Sequence, residues 1–326
     1  MDGRLSNGLP LLRTSGNRIV NSGTGETVIL RGVNRSGLEY AGPDEQGFLS
    51  GASLSRAEIE FVVRGWRSNI IRLPFNQDFV LRGRSGRSGE EYRQAIDQIV
   101  YWASLFGAYT LLDLQWLDAD RIYGGDRNFV APLPNSESID LWSTLARRYR
   151  DEPAVLYDLF NEPHDRLSDD PWPLNKPDGS SYPVHQMKVT MNEWQPWARK
   201  LTETIRTENP DALVFIGGIN WAYDLRGMPI DGLDNVVYST HVYPNKGSDW
   251  DSAFGDLSAS VPVFAGELGG AETSSELDYV GRLLNYLQQR EIGFAAWSWF
   301  NEPFLVKRFA PTRFGQLVQQ SLTARI

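Results

Sequence analysis

The chain has 326 residues, 41% of them hydrophobic, enough for one large domain or two small ones, and α/β barrels routinely occupy this length as one. A net charge of −9, from 41 acidic and 32 basic residues with no basic run interleaved with aromatics, argues against nucleic acid or an anionic membrane as partner. With no cysteine there is no disulfide, no thiol nucleophile and no thiolate metal site.

No stretch approaches the ~18 uninterrupted apolar residues of a membrane span, and MDGRLSNG lacks the charged-then-apolar pattern of a signal peptide. The expectation is a secreted or periplasmic protein with its signal removed. Aromatic residues make up 12% of the chain, and many lie in polar segments. Such exposed faces suit sugar rings, which have apolar faces and polar edges.

In chain order, two short apolar runs flank the turn residues Asn21 to Gly25 and predict a hairpin over about 10–27. VILRGVN at 28–34 reads as the first core strand. Ser53 or Ser55 caps a helix through Trp66, and NIIRLPF at 69–75 is a second strand carrying Arg72. Between 89 and 106, Tyr92, Ala95, Ile96, Ile99, Val100 and Ala103 keep helical spacing, with Gly107 at the left-handed C-terminal position. YTLLDL at 109–114 is the third strand. A helix with Trp142, Leu145, Ala146 and Tyr149 on one face follows and stops at Pro153.

The stretch AVLYDLFNEPHD at 154–165 is the fourth strand. Its apolar run ends in Asn161-Glu162, and Pro163 forbids further ladder pairing, which leaves a carboxylate at the C-terminal tip. A polar segment to about Val189 is long enough for a functional loop. Trp194, Trp197, Ala198, Leu201 and Ile205 then mark a helix, followed by strands at 213–218, 235–244 and 263–270. A helix at about 274–290, a last strand GFAAWSWF at 293–300 and a last helix at 312–324 complete the chain.

These are eight nearly continuous apolar strands with helices alternating between most of them, the pattern of strands covered on both faces. Eight units predict a single (β/α)8 TIM barrel spanning 1–326, with the hairpin at about 10–27 and the barrel at about 28–326. The open doubly wound alternative calls for a glycine-rich phosphate turn, and LRGVNRSG has neither GxGxxG nor GxxxxGK[ST] spacing. In a barrel the C-terminal strand ends share one face. They carry Asn34 and Glu39, Arg72, Asp113 and Gln115, Asn161 and Glu162, Asn220 and Trp221, His241 and Tyr243, Glu267, and Trp297 and Trp299. Glu162 and Glu267 follow strands four and seven, and such a pair can cut a glycosidic bond as proton donor and nucleophile. The bland alternatives are a turn residue at 162 and a salt-bridged strand end at 267.

LRGVNRSGLEY, IIRLPF, LYDLFNEP, HVYP, FAGELGG and AAWSW together resemble the ordered signatures of glycoside hydrolase family 5, the cellulase-type family, from about residue 10 to 300. The resemblance implies that Glu162 is the acid/base and Asn161 its neighbour on the sugar 2-hydroxyl. It implies Glu267 as nucleophile with Arg72 as charge partner, His241 and Tyr243 orienting the carboxylates, and Trp297 as floor of the −1 subsite. The family usually carries His after strand three in a DLH run, whereas this chain has Gln115.

Substrate contacts are expected from Gln115, Trp116, Trp221 and Trp297, with Trp172 either stacking sugars or packing at the rim. The second NEP places Glu302 beyond strand eight, which assigns it to the rim or a surface bridge. His164 and His185 lie in the long loop, and the absence of HxxxH, HExxH or a Cys cluster argues against a metal or other cofactor. The expected partner is a β-linked oligo- or polysaccharide. A retaining endo-β-1,4-glucanase leads. β-Mannanase, xyloglucanase, β-1,3-glucanase and glycolipid glycosidase remain open within the family, and a non-catalytic carbohydrate-binding barrel outside it.

Overall fold

The computed structural model describes residues 8–118, 130–167 and 173–324. Eight parallel strands close into a barrel. In chain order they are Arg31–Asn34, Ile70–Asn76, Tyr109–Trp116, Val155–Asp158, Val214–Gly217, Val236–Val242, Val263–Leu268 and Gly293–Ala296. Each pairs with the next, and the eighth pairs with the first. This is the (β/α)8 architecture that the alternating pattern predicts.

Local chemistry starts the helices where the sequence indicates. Ser88 and Glu91 form a reciprocal capping box for Gly89–Phe106, which ends at left-handed Gly107 (φ 104). Thr190 and Glu193 do the same for Met191–Glu208. The layer between barrel and helices is filled by fully buried indoles, Trp66, Trp142, Trp194 and Trp197. Two of them also tie strand ends: Trp142 Nε1 donates to Leu159 O at 3.0 Å and Trp194 Nε1 to Gly217 O at 2.7 Å. Strand four thereby gains a fixed exit two residues before Asn161. Its extended path continues past Asp158, with Leu159 N on Phe215 O (3.1 Å) and Asn161 N on Leu114 O (3.0 Å).

The helical alternation lapses on one side. Strands five and six are joined by residues 218–235 through isolated bridges, and strands six and seven by the short turns Pro244–Lys246, Asp251–Gly255 and Leu257–Ala259.

The N-terminal hairpin, Leu12–Ser15 with Arg18–Asn21, turns at Gly16-Asn17 and not at 21–25. Gly16 takes φ 56, the left-handed first position that a two-residue hairpin loop requires. Residues 21–25 instead form a second turn, closed by Gly25 N on Asn21 O at 2.8 Å. Leu12 and Ile19 pack with Leu30, Ile70, Leu111, Leu156 and Phe215, so the hairpin covers the apolar bottom of the barrel. Strand eight is shorter than the run GFAAWSWF suggests and stops at Ala296. Trp299 does not face the barrel mouth; it packs edge-on to Trp66 (4.9 Å) and Phe61 (6.0 Å) in the outer layer.

Candidate active site

Side chains alternate along a strand, so residues two apart share the barrel interior. Three in-register pairs therefore bring polar groups together at the top: Asn34 with Arg72, Asp113 with Asp158, and His241 with Glu267. The last pair depends on a bulge. Thr240 and His241 stand opposite Ala265 and Glu267, leaving Gly266 as the extra residue of strand seven. A Cβ on Gly266 would meet Ser239 Oγ at 2.4 Å and His241 Nε2 at 3.0 Å, so glycine is required where the bulge re-aims Glu267.

Arg72, fully buried, is the hub. Its Nε donates to Asp158 Oδ2 (2.8 Å), Nη1 to Asn34 Oδ1 and Glu267 Oε1 (both 2.9 Å), and Nη2 to Asn161 Oδ1 (3.0 Å). Asp113 lies 2.9 Å from Nη2 as a further ion-pair partner. Burial works against the guanidinium charge, and the acids around it outweigh that, so its pKa is raised. Glu267 Oε2 accepts from Tyr243 Oη at 2.7 Å, so both of its oxygens are held by donors. Glu162 Oε1 has His241 Nδ1 at 2.9 Å, and the Asn161 side chain also hydrogen-bonds the Glu162 carboxyl.

Burial pushes the Glu162 carboxyl up to about 7, with Arg72 and Lys246 pulling the other way. Burial also raises Glu267, opposed by His241, Arg72 and the Tyr243 hydrogen bond. The His241 ring is pushed down to about 4 by burial, which leaves it neutral at ordinary pH. Two close carboxyls in such a setting do not both ionise readily. The proton belongs on Glu162, because Glu267 has the guanidinium and the phenol to stabilise its charge.

A cleft of about 510 Å³ opens beside Glu162, lined among others by Trp221, Tyr243, Lys246, Glu276 and Pro303. Trp221 lies flat on His164, with ring centroids 3.7 Å apart at 9°, and His164 Nδ1 sits 2.6 Å from Glu162 O. Asn220, Trp221 and Ala222 all have positive φ (55, 61 and 56), a left-handed run that non-glycine residues adopt only when their surroundings hold it. Trp221 N on Pro163 O (3.0 Å) and His241 N on Ala222 O (3.3 Å) supply part of that hold.

Glu162, His241 and Glu267 each bring one potential ligand atom within 4.8 Å of the others, the one such metal-capable group among the described residues. Their inner contacts already link them to each other, to Arg72 and to Tyr243.

A family model described as cellulase (glycosyl hydrolase family 5) matches residues 24–303. The chain belongs to glycosyl hydrolase family 5. It is 24% identical to an endoglucanase of Paenibacillus polymyxa, over 87% of this chain and 78% of that one. It is also 24% identical to endoglucanase A of Butyrivibrio fibrisolvens, over 88% of this chain and 59% of that one, so it spans about three-fifths of that relative. Among solved structures, a β-glucanase of Saccharophagus degradans in complex with cellotetraose shares the fold with TM-score 0.75 and 23% identity, covering 98% and 94% of the two chains. An endocellulase from Pyrococcus horikoshii does so with TM-score 0.74 and 20% identity, covering 97% and 100%. The chain is a glycoside hydrolase of the cellulase type.

Of the residues read from sequence for this family 5 site, Arg72, Asn161, Glu162, His241, Tyr243 and Glu267 form one hydrogen-bonded group, joined through the Asn161 bond to Glu162. Gln115 is almost wholly buried on strand three. Trp116, next to it, lies 6.0 Å from the Tyr40 ring. Half-buried Trp297 donates its indole N–H to Glu302 O at 3.2 Å. Glu302 lines a separate cavity of about 420 Å³ that shares Ala271 and Pro303 with the cleft, a rim position. Trp172 lies outside the described residues.

Sequence reasoning passed over Asp158 and Lys246 and placed His164 in the long loop without a role. Asp158 was accessible by alternation, since it stands two residues after the inward-facing Leu156 on the same strand. Glu39 was noted without a role; it is buried, accepts from Gly37 N at 2.6 Å, and burial pushes it up to about 8. For Lys246 and His164 no periodic signal exists, because both reach the site from loops.

Proposed function

We propose that this family 5 enzyme is a retaining β-1,4-glucanase that works by double displacement, with Glu162 as acid/base and Glu267 as nucleophile. The observation that carries the reading is the unequal treatment of two close carboxyls. Glu267 has donors on both oxygens, which suits an ionised nucleophile, while Glu162 is pushed up to about 7, which suits a proton donor at neutral pH. One oxygen of each lies within 4.8 Å of the other. That favours the ~5–5.5 Å carboxyl spacing of retaining enzymes over the ~6.5–9.5 Å gap that admits an attacking water.

In the first step Glu267 attacks the anomeric carbon while Glu162 gives its proton to the departing glycosidic oxygen. In the second, ionised Glu162 takes a proton from water, and the water oxygen displaces Glu267 from the anomeric carbon. Because Arg72 occupies Asn161 Oδ1 and one amide N–H serves Glu162, the second Asn161 N–H is the donor for the sugar 2-hydroxyl. Gln115 Oε1 is buried with no hydrogen-bond partner among the described residues, and an acceptor in that state suits a sugar hydroxyl. Trp221, Trp116 and Trp297 supply ring faces on either side. The endoglucanase names of the relatives and the cellotetraose bound to the S. degradans neighbour support a β-1,4-glucan over mannan, xyloglucan, β-1,3-glucan or glycolipid.

The test is azide rescue with an aryl β-cellobioside whose leaving group needs no proton. Glu162→Ala is expected to form the glycosyl-enzyme and stall, with azide restoring turnover and giving the β-azide. Glu267→Ala should give the α-azide. Exchanged anomers would reverse the two roles, and an α-configured first product from wild-type hydrolysis would refute retention. A panel of defined oligosaccharides decides the sugar and linkage.

A further inference from the structure

Among the described residues, Lys246 is the one cation lining the cleft beside Glu162. It sits at the end of the turn Pro244–Lys246, three residues beyond Tyr243. Its ammonium donates to Asn220 O at 2.9 Å and to Asn220 Oδ1 at 3.0 Å. Both contacts fall on the first residue of the left-handed run 220–222, so the lysine clamps the segment that carries Trp221. An ammonium has three N–H donors, and two are accounted for. Among the described residues it forms no ion pair within 4 Å, unlike Arg72, whose charge is shared by Asp113, Asp158 and Glu267.

We propose that Lys246 is a positioning residue for proton donation: it pins the Asn220–Ala222 strap and keeps a positive charge beside the Glu162 carboxyl on the leaving-group side. This deepens the double-displacement reading and rests on Glu162 being the acid/base. Among the described residues, the titratable and charged groups facing Glu162 are Arg72 from strand two, His241 and Tyr243 from strand six and its exit, Glu267 from strand seven, His164 from its own loop, and Lys246; Glu276 lines the same cleft. Burial pushes Glu162 up, and Arg72, Lys246 and the Asn161 hydrogen bond draw it back. Burial lowers Lys246 itself while Glu162 raises it, as expected of a cation facing that carboxyl.

The sign follows. Removing the positive charge destabilises the Glu162 carboxylate, so the protonated form persists to higher pH and the alkaline limb of kcat/KM moves up. A merely structural clamp would not move it.

The experiment compares wild type with Lys246→Met, Lys246→Gln and Lys246→Arg, measuring kcat/KM against pH on soluble β-1,4-glucan and on dinitrophenyl β-cellobioside. Lys246→Gln keeps a donor for Asn220 without the charge, and it covers the case in which Lys246→Met does not fold. The expected result is an upward shift of the alkaline limb by roughly half a pH unit on glucan in both neutral variants. Lys246→Arg should show wild-type behaviour. On the dinitrophenyl substrate the limb should stay in place, because that leaving group needs no proton. A rise in KM with an unmoved limb in Lys246→Gln would leave only a clamp and overturn the proposal. Failure of wild type to release reducing ends from any β-glucan would instead strike the underlying function, leaving the variant comparison unneeded to diagnose it.

Discussion

The two ends of this barrel are built from the same strands and solve opposite problems. Ile70 on strand two faces the closed bottom and Arg72, two residues on, faces the mouth; Leu111 and Asp113, and Leu156 and Asp158, repeat the step. Below, Ile70, Leu111, Leu156, Leu213, Phe215 and Val237 make an apolar plug under the hairpin residues Leu12 and Ile19. Above, one guanidinium gathers three carboxylates with no exposure to water worth the name. Burial of the upper layer is the first cause of the raised Glu162 and Glu267. The bottom contributes stability and the top gives some of it up.

Substitutions at the two ends should therefore part company. The largest effect is expected from Arg72→Met, which leaves Asp113, Asp158 and Glu267 together without their cation. Breaking a buried charge network typically costs ~3–5 kcal/mol, so denaturant unfolding should show a loss of that size and turnover should vanish. An Arg72→Met protein of wild-type stability would mean that the hub is not what holds the upper layer.

Leu156→Ala tests the floor. Truncating a buried leucine costs ~2–5 kcal/mol through lost burial and the cavity left behind. At a temperature where the variant is still folded, kcat per folded molecule should be close to wild type. A collapse of kcat with little loss of stability would break the division of labour.

Glu162→Gln should go the other way. A carboxyl raised on folding makes the folded state bind more protons than the unfolded one, so its penalty is absent below pH ~4.5 and grows as pH rises to about 7. The glutamine variant should then unfold at higher denaturant than wild type above pH 7, by ~2–3 kcal/mol, with the two converging near pH 4. Turnover of unactivated glucan should fall by roughly two to four orders of magnitude. Equal stability at pH 8 would show that Glu162 is not strained by burial.

The smallest effect is expected at Gln115. Gln115→His keeps one donor, and kcat/KM on gluco-configured oligosaccharides should stay within about tenfold, or ~1.4 kcal/mol. A larger loss would indicate that Gln115 is tuned to a different sugar or linkage.

Much of this site was legible because the chemistry that marks it is local. Glu162 and Glu267 each end a buried apolar run, and Arg72 interrupts one, so periodicity and the ordered motifs sufficed to single them out. The errors were local too. The hairpin turn was read at Asn21–Gly25, where polar residues are dense, although Gly16-Asn17 supplies the left-handed position that a two-residue loop needs. Strand eight was read through Phe300 because Trp297 to Phe300 are largely apolar, but apolar residues serve equally in the outer layer, where Trp299 meets Trp66.

The alternation of strands and helices, the helix caps and the candidacy of Glu162 and Glu267 follow from neighbours within a few residues, which is why one chain of letters indicates them. What the tertiary structure decided is where charge is stabilised. Arg72 and Glu267 are 195 residues apart in the chain and 2.9 Å apart in space. Lys246 reaches Asn220 across a cleft, and His164 lies under Trp221, each from a loop with no period to betray it. Electrostatic energy in a buried site depends on through-space distance and on the water excluded around it, and neither quantity exists until the barrel has closed.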